Sequence, residues 1–282
     1  MPTSPWSHSR SASVADDVDF EIKGQELQFV EIELDPGESA VAEAGAMVWK
    51  DAPITMSTVF GDGSEQQGSG FMGKLLGAGK RLVTGESLFT TVFTHEGRGK
   101  ARVAFAAPIP GSIVPIKLDQ IGGRLICQKD AFLCAARGVS IGIHFQQKIM
   151  TGLFGGEGFV MQRLDGDGWV FVQMGGTVIE RTLEPGEELH IDTGCVAAFT
   201  SGIDFDVIRA GSVKSMIFGG EGVFFARLRG PGKVWIQSLP FSRLAGRMMA
   251  AAMPYGGQNR GESTLLGLGA LGGLAGMIDG DD

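Results

Sequence analysis

Three segments of this 282-residue chain carry nearly the same wording: Thr84-Gly85-Glu86-Ser87-Leu88-Phe89, Phe154-Gly155-Gly156-Glu157-Gly158-Phe159 and Phe218-Gly219-Gly220-Glu221-Gly222-Val223. A second landmark recurs in step with the first: Asp35-Pro36-Gly37-Glu38, then Pro110-Gly111-Ser112, then Glu184-Pro185-Gly186-Glu187, at nearly equal spacing. Two markers in one order point to an internal triplication. A chain built of three similar pieces must bury each piece against its neighbours, which restricts it to repeat-like folds.

Periodicity indicates what the piece is. Val30, Ile32 and Leu34 alternate with glutamates ahead of the first Pro-Gly turn, the pattern of a strand with one buried face. Aromatic and β-branched runs such as Phe159–Leu164 and Trp169–Val172 are separated by glycine turns, again as strands. The 45 glycines exceed the usual share of ~7% and fall between short apolar runs, where tight turns need positive φ. The predicted fold is mainly β: three tandem β-units over residues 18–107, 108–175 and 176–240, each opening with a strand that leads to the Pro-Gly landmark. A small-residue strand is expected to follow in each, over Glu43–Val48, Gln128–Leu133 and Asp192–Ala197. Residues 61–76 and 117–123 read as loop insertions.

The ends differ from the units. Residues 1–17 are Ser-rich and lack the apolar stretch of a secretory signal, so they read as a disordered arm. Residues 241–254 have helix formers, with Leu244, Met248 and Ala252 four apart, before Pro254 stops the pattern. Residues 255–282 form a Gly/Leu-rich tail expected to be flexible, whose apolar part is shorter than the roughly 20 residues of a membrane span.

No chemical motif is complete. Gly68-Ser69-Gly70-Phe71-Met72-Gly73-Lys74 approaches a phosphate loop, but Leu75 stands where Ser or Thr should hold magnesium. His8, His95, His144 and His190 are scattered singly, so no metal site and no cofactor are expected. Glu86, Glu157 and Glu221 admit a catalytic-carboxylate reading, yet a glutamate recurring once per repeat is more simply an acceptor for backbone N–H groups at a repeat junction. Trp49, Trp169 and Trp235 lie in or beside apolar strands and read as core residues. Cys127, Cys134 and Cys195 are an odd set without C-x-x-C, which fits buried thiols in a reducing, cytoplasmic compartment. A net charge of −8 without a basic stripe opposes a phosphate backbone, so neither DNA nor RNA is an expected partner.

The stretch Val30 to Trp49, with Leu82–Phe89, Leu153–Phe159 and Val234–Pro240, closely resembles the altered inheritance of mitochondria protein 24 family, over about Asp19 to Ala252. That resemblance implies a fold similar to the tryptophan RNA-binding attenuator protein, a short relative of the double-stranded β-helix, assembled as trimers. It carries no catalytic residues across, and shared fold does not transfer the attenuator's RNA site. The expected function is a non-enzymatic oligomeric scaffold or binding protein, a homotrimer. The alternatives are a membrane-peripheral organiser docking through the C-terminal segment, and a ring that binds RNA or a small ligand.

Overall fold

The computed structural model describes residues 15–60, 89–147, 159–209 and 224–252, and these are mainly β with one short C-terminal helix. After β1 (Asp19–Lys23) come three sets of six strands. The first is β2 (Phe29–Leu34), β3 (Ser39–Glu43), β4 (Met47–Lys50), β5 (Ile54–Phe60), β6 (Phe89–His95) and β7 (Ala101–Ala106). The second is β8 (Gly111–Lys117), β9 (Arg124–Gln128), β10 (Phe132–Ala136), β11 (Ser140–Gln147), β12 (Phe159–Asp165) and β13 (Trp169–Gly175). The third is β14 (Val178–Leu183), β15 (Glu188–Asp192), β16 (Val196–Thr200), β17 (Asp204–Arg209), β18 (Phe224–Arg229) and β19 (Gly232–Gln237). The helix α1 (Phe241–Ala252) follows.

One pairing scheme serves all three sets. The sixth strand pairs antiparallel with the first and the third, and the fifth pairs antiparallel with the second and the fourth. Consecutive sets are joined by their second and third strands: β3 pairs β10, and β9 pairs β16. The resulting sheets run β5-β6-β3-β10-β13-β8 and β11-β12-β9-β16-β19-β14, flanked by the partial sheets β1-β2-β7-β4 and β15-β18-β17. Even the irregularities coincide, since each third strand shifts register near its start, between Met47 and Trp49, Phe132 and Cys134, and Val196 and Ala198. Such a shift bends the strand, letting it turn from its own set toward the previous one.

The two faces of each joining sheet serve different cores. Val30, Ile32, Leu34, Phe93 and Phe105 of the first set are packed with Phe171 of the second. Leu125, Leu164, Val170 and Val172 of the second set pack with Val41 of the first and Trp235 of the third. Phe199, Leu228 and Val234 of the third set pack with Ile126, Phe159 and Met161 of the second. Each set therefore completes its neighbour's core.

Several local expectations change. Pro110-Gly111 does not correspond to the other Pro-Gly turns: Pro36-Gly37 and Pro185-Gly186 link first and second strands, whereas Gly111 opens β8. The true counterpart in the second set is the 3-10 turn Leu118–Ile121, closed by Gly122 and Gly123 at φ +86° and +81°. The expected strands over Glu43–Val48, Gln128–Leu133 and Asp192–Ala197 are interrupted, because the backbone turns tightly after Glu43, Gln128 and Asp192 before the third strand begins. Residues Ala15, Asp16 and Asp17, which the sequence assigns to the arm, are tied down. Ala15 N–H donates to Asp167 Oδ1 at 3.0 Å, Asp16 Oδ2 accepts from Ser39 N–H at 2.8 Å, and Lys117 Nζ meets Asp17 at 3.0 Å. The N-terminal strand β1 then adds to the edge of β2 and sets Phe20 edge-on against Trp169 and Phe171, at 4.9 and 4.8 Å between ring centroids.

Candidate functional site

At two strands the pairing that joins consecutive sets has no described partner. In the first set β4 has β7 on one side, and in the third set β15 has β18 on one side. Their counterparts at the other positions, β10 and β16, β3 and β9, have strands on both sides. Side-chain burial follows the same division. Leu133 and Cys134 on β10, and Ala197 and Ala198 on β16, are at most 2% exposed. Val48 and Trp49, which occupy the same positions on β4, are 56% and 36% exposed. Trp49 is thus not the core residue its sequence suggests, while Trp235 is buried with its indole N–H donating to Glu180 Oε2 at 3.0 Å. On β15, His190 stands where β3 has Val41 and β9 has Ile126; it is exposed and bonded to Glu188 at 2.8 Å.

A polar layer lies at the ends of the joining strands. Between the second and third sets, Gln237 Nε2 donates to Gln128 Oε1 at 3.1 Å and to the Gly194 carbonyl at 3.0 Å, and its Oε1 accepts from Gly175 N–H at 2.9 Å. The matching residues between the first and second sets are Glu43 and Gln173. Gln173 Nε2 donates to the Ile109 carbonyl at 3.1 Å, and its Oε1 is buried without a partner. Burial, reinforced by Asp130 and opposed by Lys129, pushes the Glu43 carboxyl up to about 7. In the third set the same strand end carries Asp192, whose Oδ1 accepts from Gly194 N–H at 2.9 Å.

Glu86, Glu157 and Glu221 lie outside the described residues, as do the phosphate-loop-like segment, His8, Pro254 and the tail. Two other glutamates accept from backbone N–H groups at the Pro-Gly turns. Glu38 Oε2 accepts from Asp35 N–H at 2.8 Å and Glu187 Oε2 from Glu184 N–H at 3.0 Å, each across its Pro-Gly turn. Burial drives the thiol of Cys127 up to about 12 and that of Cys134 well above its ordinary value, while Cys195 is half-buried. Among the described residues no three His, Cys, Asp or Glu side chains are grouped to hold a metal ion, and no described helix is long and apolar enough to cross a membrane. The charged face of β1, β2 and β7 is internally paired, through Lys23–Glu31 at 3.0 Å and Arg102–Glu33 at 2.8 Å.

Sets of strands that complete one another's cores, with two set-joining strands left without a described partner and an internal polar layer, define a modular mainly-β protein. The Mitochondrial biogenesis AIM24 family model matches residues 20–239, and the chain belongs to that family. An uncharacterised protein of Streptococcus pyogenes serotype M6 is 34% identical over 229 residues, covering 80% of this chain and 87% of the relative. A Streptococcus pyogenes protein solved by X-ray crystallography superposes with a TM-score of 0.66 at 27% identity, covering 83% of this chain and 99% of the other.

Proposed function

We propose that the protein is a non-enzymatic oligomeric scaffold or binding module of the cytoplasm, in which three repeated β-units of the attenuator-protein type close head to tail into a homotrimeric ring. The observation that carries this reading is the exposure of Val48 and Trp49 on β4, at positions that are buried wherever another set precedes. An exposed strand edge bearing apolar side chains invites pairing, and β15 offers the matching edge at the other end of the strand order. Repeating the register of the two internal junctions, Cys134 opposite Ala42 and Ala198 opposite Cys127, sets Trp49 of one copy opposite Ile191 of the next, and Lys50 opposite His190. A heterologous contact of this kind closes if its rotation permits, and three copies are what the family resemblance implies. Light scattering after size exclusion should report three chains, 3 × 29.7 kDa. A monodisperse monomer at micromolar concentration would overturn the ring. Mass spectrometry of the native assembly tests the related reading in which the ring holds RNA or a small ligand.

A second reading, docking to a membrane surface, is favoured by α1. Its charged residues are Arg243 and Arg247, and Phe241, Met248 and Met249 are exposed, the composition of a helix that lies in a lipid interface. Flotation with anionic vesicles, comparing the full chain with one ending before Phe241, separates this reading from the first.

A further inference from the structure

Val41, Ile126 and His190 occupy one position in the three sets, on the second strand, where they pair with Val92, Arg163 and Arg227 of the fifth. At both internal junctions that position serves the core of the following set. Val41 of the first set is packed around Leu125, Leu164 and Val170 of the second, and Ile126 of the second around Phe199, Leu228 and Val234 of the third. His190 has no following set in its own chain, and half of its side chain is exposed. It places an imidazole where the two junctions have β-branched hydrocarbon. The junctions set Ala135 opposite Val41 and Phe199 opposite Ile126, and the same register brings Lys50 of a second copy opposite His190.

The charged groups around His190 fall into two classes. Those of its own chain are Glu188 and Asp192 on β15, Arg227 and Arg229 on β18, and Asp204 and Asp206 on β17. Glu188 Oε1 lies 2.8 Å from His190 Nε2, and Arg227, opposite His190, meets Asp206 at 3.3 Å. Those of the covering copy are Lys50 and, beside it, Asp51, whose carboxylate accepts from the Arg102 N–H at 2.8 Å.

Resting on the ring reading, we propose that His190 makes closure of the ring proton-dependent: covering β15 with β4 of the next copy favours the neutral imidazole, so acid opens the ring. The sign follows from what closure adds. Glu188 and the Arg227–Asp206 pair act on His190 whether or not β15 is covered, so they do not set the difference. The covering strand adds an ammonium directly opposite, which repels a second positive charge, and it removes water from an imidazole now half exposed. Lys50 also lies diagonal to Glu188 and competes with His190 for its carboxylate. Asp51 falls opposite Leu189, whose side chain stands on the other face of the strand. Histidine is the side chain whose charge ordinarily changes near neutrality, whereas Val41 and Ile126 give the internal junctions no such response at this position.

The test is light scattering after size exclusion of the full-length protein at fixed ionic strength, at about pH 8 and again at about pH 5.5. The expected mass is 3 × 29.7 kDa at the higher pH, falling toward 29.7 kDa at the lower. Release of one proton per contact weakens each contact by up to about tenfold per pH unit on the acid side. His190→Val installs the residue of the first junction, and His190→Gln stays polar without a charge; both should keep the closed mass at both pH values. If His190→Val aggregates, His190→Gln decides. A parent protein that stays closed in acid overturns the proton dependence and leaves the ring standing, as does acid dissociation that persists in the variants. Loss of assembly by both variants at the higher pH also overturns it, because they remove only the charge that the proposal invokes. A parent monomer at the higher pH overturns the ring itself, and this proposal with it.

Discussion

The junctions inside the chain and the two set-joining strands left without a described partner, β4 and β15, are built alike and differ in what covers them. At the internal junctions the third strand carries small or medium residues, Leu133 and Cys134 or Ala197 and Ala198, sealed beneath the previous set. At the open edge the same strand carries Val48 and Trp49, larger together and exposed. A protein that kept this edge in water would be expected to blunt it with charge or proline. The apolar choice instead keeps the edge competent to pair, so the end of one chain resembles an unfinished internal junction.

The comparison breaks most decisively if the internal junctions do not hold the cores together. Phe171 belongs to the second set by sequence and to the first set's core by packing, with no exposed surface. Phe171→Ala should cost about 3–5 kcal/mol, read as a lower denaturant midpoint with an unchanged slope in a single transition. Separate transitions for different spectroscopic probes would mean that the sets fold independently. The open edge gives the next largest effect. Trp49→Asp places a charge where pairing requires an apolar surface and should weaken self-association by about 2 kcal/mol or more, shifting light-scattering masses toward 29.7 kDa. Its far-ultraviolet circular dichroism should remain that of the parent. An assembly that survives Trp49→Asp uses some other surface.

Much of this was legible in the chain. Alternation at Val30, Ile32 and Leu34 exposed the strand character, and the mainly-β class with a helix at Phe241–Ala252 follows from such patterns. Position within the set was less legible. Pro110-Gly111 looks like a turn landmark because two residue types suffice to mimic one, but the second set turns instead through Leu118–Gly123, a 3-10 turn with glycines that no Pro-Gly motif marks. Trp49 reads as core because its neighbours are apolar; only the strand order reveals that no described strand pairs with β4 on its far side. The Glu43 site was hidden for a related reason. Glu43, Gln128 and Asp192 appear in the sequence as the first residues of small-residue runs, and nothing there says that each ends a joining strand. Comparing the three runs position by position, and asking why one carries Gln and another Glu, was the available signal.

The next prediction sharpens the contrast between the two internal junctions. Glu43 in the folded protein titrates at about 7 rather than 4.5, because burial and Asp130 disfavour its charge. Below pH 4.5 the group is neutral both folded and unfolded and costs nothing. As pH rises toward 7 the unfolded chain ionises first, and the folded state loses stability progressively; above 7 the loss is complete. A shift of this size corresponds to about 3 kcal/mol. Glu43→Gln makes the first junction resemble the second, so it should match the parent at low pH and exceed it above neutrality. Urea unfolding of both proteins across this range measures the difference and cancels the other titrating groups. A difference independent of pH would place the perturbation elsewhere.

The smallest effect concerns the Pro-Gly turns, where the first and third sets agree and the second departs. Gly37 and Gly186 take φ of +91° and +82°, and Glu38 and Glu187 bridge back to the N–H groups of Asp35 and Glu184. The two bridges differ in environment. Burial holds the Glu38 carboxyl above its ordinary value, with the Asp35 N–H pulling it down, whereas Glu187 also meets Arg181 at 3.0 Å. Replacing either glutamate by alanine removes the acceptor without creating a cavity, at a cost of about 0.5–1.5 kcal/mol. Glu38→Ala should cost more than Glu187→Ala, because burial around the Glu38 carboxyl limits how well water can take its place. The added ion pair at Glu187 contributes little in so exposed a place. Paired urea titrations of the two variants decide the order. Equal losses would mean that water replaces both carboxylates equally well, and that the turns are held by their glycine geometry rather than by the glutamates.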